Sequence, residues 1–244
     1  ASPELSPYLD CIWTEDYFNE YENRNKPQLI IPDDTIELVF TKESFCRKSI
    51  NSEIEKEYKT HLCGLKSKSQ FIKLQGSPIL SVRFKPFGLY YFTRFRMTHT
   101  INQSIHPKDI FGSDFTRLEE FVLSNKSISA KLVEVEKYLK LKLFMINKDI
   151  MPSVHDFVNN PESAIITRDV YQNFEDVVGM SPAEYARVKN TVQSCKNFIK
   201  SGYDDSKFDA ATTENMKLSF GIKPEYLKVR GLGIQKPCLE LHFA

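Results

Sequence analysis

The order of apolar and polar positions divides the chain into two unlike parts. Over roughly the first hundred residues, short runs alternate apolar with polar, the period of strands that bury one face. In QLIIPDDTIELVFTK, 28–42, two such runs flank Pro32-Asp33-Asp34, and Ile36, Leu38 and Phe40 alternate with Thr35, Glu37, Val39 and Thr41. This pattern predicts a half-buried hairpin turned at Pro-Asp-Asp. QFIKLQG, 70–76, and PILSVRFKPFG, 78–88, predict two more strands, the second broken by Pro86 and Gly88. Residues 43–61 are charged and aperiodic, which reads as a long loop or partly helical insertion. LYYFTRFRM, 89–97, is too aromatic for its period to choose between helix and strand.

From about residue 114 the period becomes helical. Leu132, Val135, Leu139 and Leu143 recur at spacings of three and four with Lys and Glu between them, predicting a long amphipathic helix after the polar NKSIS, 125–129. A second polar break, NKDIMPS at 147–153, marks the boundary of a wholly helical region. There SVHDFVNN predicts a short helix with Ser153 as its N-cap and Val154, Phe157 and Val158 as its apolar stripe. Ile166, Val170, Phe174 and Val177 predict a second helix with those four on one buried face. Gly179 closes it, and Ser181, Pro182 and Glu184 form a capping box that opens a third. A weaker copy of this corner follows at Gly221 and Pro224, without a capping residue.

The predicted class is therefore α+β, a mixed β-rich N-terminal part followed by an all-α part. We place an N-terminal sensor or association domain at 1–125, a helical linker at 126–150, the helical domain at 151–230 and a tail at 231–244.

Composition narrows the chemistry. The 244 residues carry 33 Lys plus Arg against 32 Asp plus Glu, a net charge of +1. Nothing global therefore advertises a polyanion, a membrane surface or a highly charged substrate. No run is long and apolar enough to span a bilayer, and the N-terminus lacks a signal-peptide layout, so a cytoplasmic chain without a membrane partner is expected. Five cysteines, odd in number and scattered, suit buried thiols in a reducing compartment.

His61 and Cys63 stand two apart beside a Gly without a phosphate loop, zinc spacing or nucleophile elbow, and the remaining histidines are scattered. The expectation is a protein that is not an enzyme and needs neither cofactor nor metal. Asp33, Asp34 and Glu37 invite a metal reading, but turn chemistry explains Pro-Asp-Asp better; the aromatics Phe84, Phe87, Tyr90, Tyr91, Phe92 and Phe95 could line a ligand pocket, but core packing explains them better.

The order of motifs carries a resemblance. FEDVVGMSPAEYARVK resembles the close of the first helix-turn-helix in AraC-type transcriptional regulators, and YDDSKF with SFGIKPEYL resembles, more faintly, the close of their second. LIIPDDTIELVF, HLCGLKS and SVRFKPFGLYYF are similar to the poorly characterised domain that precedes the regulator module in one branch of that family. The resemblance implies an N-terminal domain that senses a small-molecule effector or forms a homodimer, and a helical domain that binds double-stranded DNA. By position on the resembled helix, Thr167, Arg168, Tyr171 and Gln172 would read bases, while Lys189 and Lys207 would hold phosphates.

Two features keep a second reading open. The Gly-to-Gly repeat is shorter than the roughly 50 residues expected of two complete units. The outward face of the resembled helix also carries Asp169, Glu175 and Asp176 beside Arg168, charges that oppose phosphate. The alternative is an interaction protein whose helix-turn-helix has become scaffold.

Overall fold

The computed structural model describes residues 2–14, 28–30, 34–41, 45–48, 55–67, 70–73, 78–162 and 166–200. Nine described strands form two antiparallel sheets. The first holds β1 (Leu9–Trp13), β8 (Pro78–Phe84), β3 (Ile36–Thr41), β6 (His61–Cys63) and β9 (Ser104–Ile105), in that order. The second holds β2 (Gln28–Ile30), β7 (Gln70–Lys73), β4 (Phe45–Lys48) and β5 (Glu55–Tyr58). After two described 3-10 turns, Gly88–Phe92 and Met97–His99, come six described helices: α1 (Pro107–Phe111), α2 (Phe115–Leu123), α3 (Ile128–Ile146), α4 (Pro152–Asn159), α5 (Arg168–Val178) and α6 (Pro182–Lys200). The chain is α+β, with a β-rich N-terminal part and a helical C-terminal part.

Several local expectations are corrected. The hairpin expected over 28–42 does not form: β2 pairs with β7, whereas β3 pairs with β6 and β8 in the other sheet. In the charged stretch 43–61, expected to be a loop or partly helical insertion, the described residues 45–48 and 55–58 form β4 and β5, and 43–44 and 49–54 lie outside the described residues. β3 is not half-buried, because a central strand has neighbours on both edges and this one is covered on both faces. On one face Phe40 stacks on Phe115 of α2, ring centroids 5.8 Å apart. On the other, Glu37 is buried with Arg83 opposite it in register, 3.5 Å away, and it accepts a 2.7 Å hydrogen bond from Trp13 Nε1. A buried carboxylate needs such partners, which explains Glu37 and Arg83 without a ligand.

The helical part follows its punctuation closely. Ser127 caps α3 by accepting from the Ala130 N–H, and α3 buries Val135 and Leu139 with Leu132 and Leu143 packed at the margin. α4 buries Val154, Phe157 and Val158. It begins at Pro152, one residue before the expected cap, so Ser153 lies inside the helix and donates instead to Asp169. α4 ends at Asn159 and α5 begins at Arg168, a spacing longer than the three or four residues of a tight helix-turn-helix turn.

One apolar core runs from Leu5 to Val192 through strands and helices alike. The helical segment is thus docked on the β-rich part rather than suspended from it. His155 of α4 stacks on Phe87 with centroids 3.8 Å apart and is hydrogen-bonded to the Tyr91 hydroxyl at 2.8 Å. That hydroxyl also accepts the Met151 N–H at 3.3 Å. No described helix is long and apolar enough to cross a membrane.

Candidate nucleic-acid interface

Three helices build the surface from the inside outward. Phe174 of α5 lies between Phe157 of α4 and Tyr185 of α6, with centroids at 5.2 and 5.5 Å. Val170, Val177 and Val178 complete the inward stripe of α5. Aromatic burial of this kind fixes the rotation of a helix about its axis, and so fixes which residues face outward. Ile166 is not part of the stripe, contrary to the expected four-residue face. It precedes the N-cap, where helical spacing no longer applies, and is 51% exposed.

Local rules set both ends of α5. Thr167 is the N-cap, its side chain accepting from the Val170 N–H at 3.2 Å. Gly179 ends the helix at φ +99°, a left-handed conformation that favours glycine. Ser181 then accepts the Glu184 N–H at 3.2 Å and Pro182 opens α6, as the capping-box spacing predicts. Gly179 has a second reason to lack a side chain, since a Cβ there would lie 2.6 Å from the Met97 carbonyl oxygen. The corner that ends α5 is thereby pressed against the 97–99 turn of the β-rich part.

The expected site residues separate into three groups. Arg168, Tyr171 and Gln172 project together from the exposed face of α5, Tyr171 being 69% exposed. Thr167 is exposed as well, but its hydroxyl is used in capping. Lys189 is directed elsewhere: its ammonium donates to the Val158 and Asn159 carbonyls at the C-terminal end of α4. A cation there satisfies carbonyls that the helix leaves open, so in this structure Lys189 fastens α6 to α4. Lys207 lies outside the described residues.

The acidic character of α5 is partly absorbed. Asp169 accepts from Ser153 and from the Asn173 amide, the latter at 2.8 Å, so its oxygens are tied to the protein. Glu175 and Asp176 remain exposed on the outward face.

A feature that periodicity did not reveal lies beside them. Arg94, Arg96 and Lys148 line one small pocket of about 150 Å³ with Tyr90, Phe95 and Asp176. Lys148 extends over the Tyr90 ring, 3.2 Å from its centroid, and donates to the Tyr90 carbonyl at 3.0 Å. Burial pulls its pKa down to about 8, with Asp176 acting in the opposite direction. The one sequence signal was the pair of arginines in RFR, 94–96, and nothing in the chain order joins it to Lys148.

A larger open groove of about 570 Å³ lies between Phe95, His99, Ile105, His106 and Asp109. His106 is used in capping, accepting from the Lys108 N–H at 3.2 Å. Among the described residues, no group of three or more His, Cys, Asp or Glu side chains could hold a metal ion.

Comparison with known proteins adds one match. Residues 1–106 are similar to the family described as Domain of unknown function (DUF6597), a match that ends where α1 begins. No curated protein and no solved structure matches the chain.

Proposed function

We propose that the chain is a cytoplasmic one-component transcriptional regulator that binds double-stranded DNA through the exposed face of α5. The observation that carries this reading is the outward array of Arg168, Tyr171 and Gln172 on a helix whose opposite face is locked by Phe174. Arg168 presents a pair of donors and Gln172 a donor beside an acceptor, arrangements that fit base edges in a major groove, and Tyr171 offers both an apolar ring and a hydroxyl. α4 and α6 brace the helix on its inner side, the arrangement a groove-entering helix needs. On this reading the β-rich part senses a small-molecule effector or joins two copies, and its shared core with α4 and α5 carries the signal.

The test is a low-salt selection of genomic fragments, followed by measurement of affinity for Arg168→Glu. Arg168 has no hydrogen-bond or ion-pair partner among the described residues, so its replacement reports on DNA rather than on folding. A loss of about 1–3 kcal/mol in binding is expected. Undiminished affinity in that variant would remove α5 from the contact surface. Glu175 and Asp176 favour the second reading, a protein-interaction scaffold. That reading gains if the wild-type chain retains no duplex even at low salt.

A further inference from the structure

The acidic face of α5 poses a problem for any contact with a polyanion, and the β-rich part holds an answer beside it. Arg94 and Arg96 leave one short segment on either side of Phe95, which is packed against the core. Both arginines are exposed, and neither has a hydrogen-bond or ion-pair partner among the described residues. Lys148 reaches the same pocket from the segment after α3, its stem held over Tyr90 and one N–H on the Tyr90 carbonyl. An ammonium has three donors, which leaves two to turn toward the opening. Asp176, the fourth charged wall, stands one helical turn beyond Gln172 and so shares its face of α5.

We infer that Arg94, Arg96 and Lys148 form a seat for a phosphate group next to α5. Three cations face one carboxylate, and planar guanidinium groups match the paired oxygens of a phosphate. Burial weakens the hold of Lys148 on its proton, and an arriving dianion or phosphodiester offsets that penalty. The seat borders the face that would enter a groove, so the strand backbone is the source of phosphate that its position favours; this part of the inference rests on the regulator reading. Free inorganic phosphate, or a small phosphorylated effector, offers the same chemistry.

The experiment uses the full chain, its Arg94→Gln/Arg96→Gln double variant and Lys148→Met, in which a methionine keeps the stem over Tyr90. Duplex affinity is followed against salt, and inorganic phosphate is titrated calorimetrically. If the backbone fills the seat, the double variant binds DNA about tenfold more weakly at about 0.1 M salt. Its plot of log Kd against log salt is shallower by about one to two, and its sequence preference is unchanged. If the source is free phosphate, the calorimetric signal of the wild type disappears in both variants while the DNA salt slope stays as it was. Variants that alter neither duplex binding nor phosphate binding overturn the seat even though Arg168→Glu still weakens DNA binding. A wild type that binds no duplex removes the regulator reading, and the phosphate titration alone then decides the seat.

Discussion

Gly179 offers the sharpest test of how the helical segment is held. At φ +99° an L-residue other than glycine is strained, by about 1–2 kcal/mol for alanine. The added Cβ would also stand 2.6 Å from the Met97 oxygen, 2.8 Å from its carbonyl carbon and 3.0 Å from Ile101 Cδ1. The first two are backbone atoms, so relief requires the 97–99 turn or the end of α5 to retreat by several tenths of an ångström. Overpacking of this kind costs about 1–3 kcal/mol. The sum for Gly179→Ala is roughly 2–5 kcal/mol, a large part of the stability of an ordinary domain. Gly179→Asn separates the contributions, because asparagine tolerates the left-handed region yet still carries a Cβ. Urea unfolding followed by far-UV circular dichroism should show both variants destabilised, with asparagine keeping at least the packing share. If Gly179→Asn unfolds within about 0.5 kcal/mol of wild type, the close approach to Met97 is absent and the docking argument fails.

Two other changes probe the same body. Burial, reinforced by Lys85, lowers the pKa of His155, so the unfolded chain binds more protons than the folded one as pH falls past the ordinary histidine value near 6.5. The stability contributed by neutral His155 is whole above that value and is lost below it. The urea midpoint of wild type should therefore fall more steeply between about pH 7 and pH 5 than that of His155→Phe, which keeps a ring against Phe87; parallel curves would refute this. Lys142 is buried in α3, donates to the Phe111 carbonyl at 2.6 Å and pairs with Asp114 at 2.8 Å. Lys142→Met should cost about 1–3 kcal/mol in thermal or urea unfolding, and Asp114→Asn less, since Asp114 is half exposed. Equal losses in the two variants would contradict that ordering.

How much of this was legible in the chain follows from how local each determinant is. The α5–α6 corner could be read because Gly179, Ser181 and Pro182 act within a few residues of one another. The inward stripe of Val170, Phe174 and Val177 could be read because α5 is regular between its caps. Strand pairing could not: β2 and β3 are neighbours in sequence but belong to different sheets, and no turn residue states that. The burial of both faces of β3 was hidden for the same reason, since Glu37 reads as solvent-facing until Arg83 and Trp13 are placed around it. Lys189 looked like a phosphate ligand because its type and helix were known, but its direction depends on where α4 ends. Arg94, Arg96 and Lys148 meet only because α3 packs on the 88–92 turn and brings Lys148 over Tyr90.

The central claim, that the outward face of α5 lies against a duplex, is tested most directly by photo-crosslinking. A benzophenone side chain is placed at Tyr171, with a control chain carrying it at the exposed Val133 of α3. With a selected fragment at low salt and protein near the wild-type Kd, the account predicts a covalent DNA adduct from position 171 that is reduced about tenfold or more by Arg168→Glu and is not formed from position 133. Failure to form an adduct at 171, or equal adducts from both positions, would contradict it.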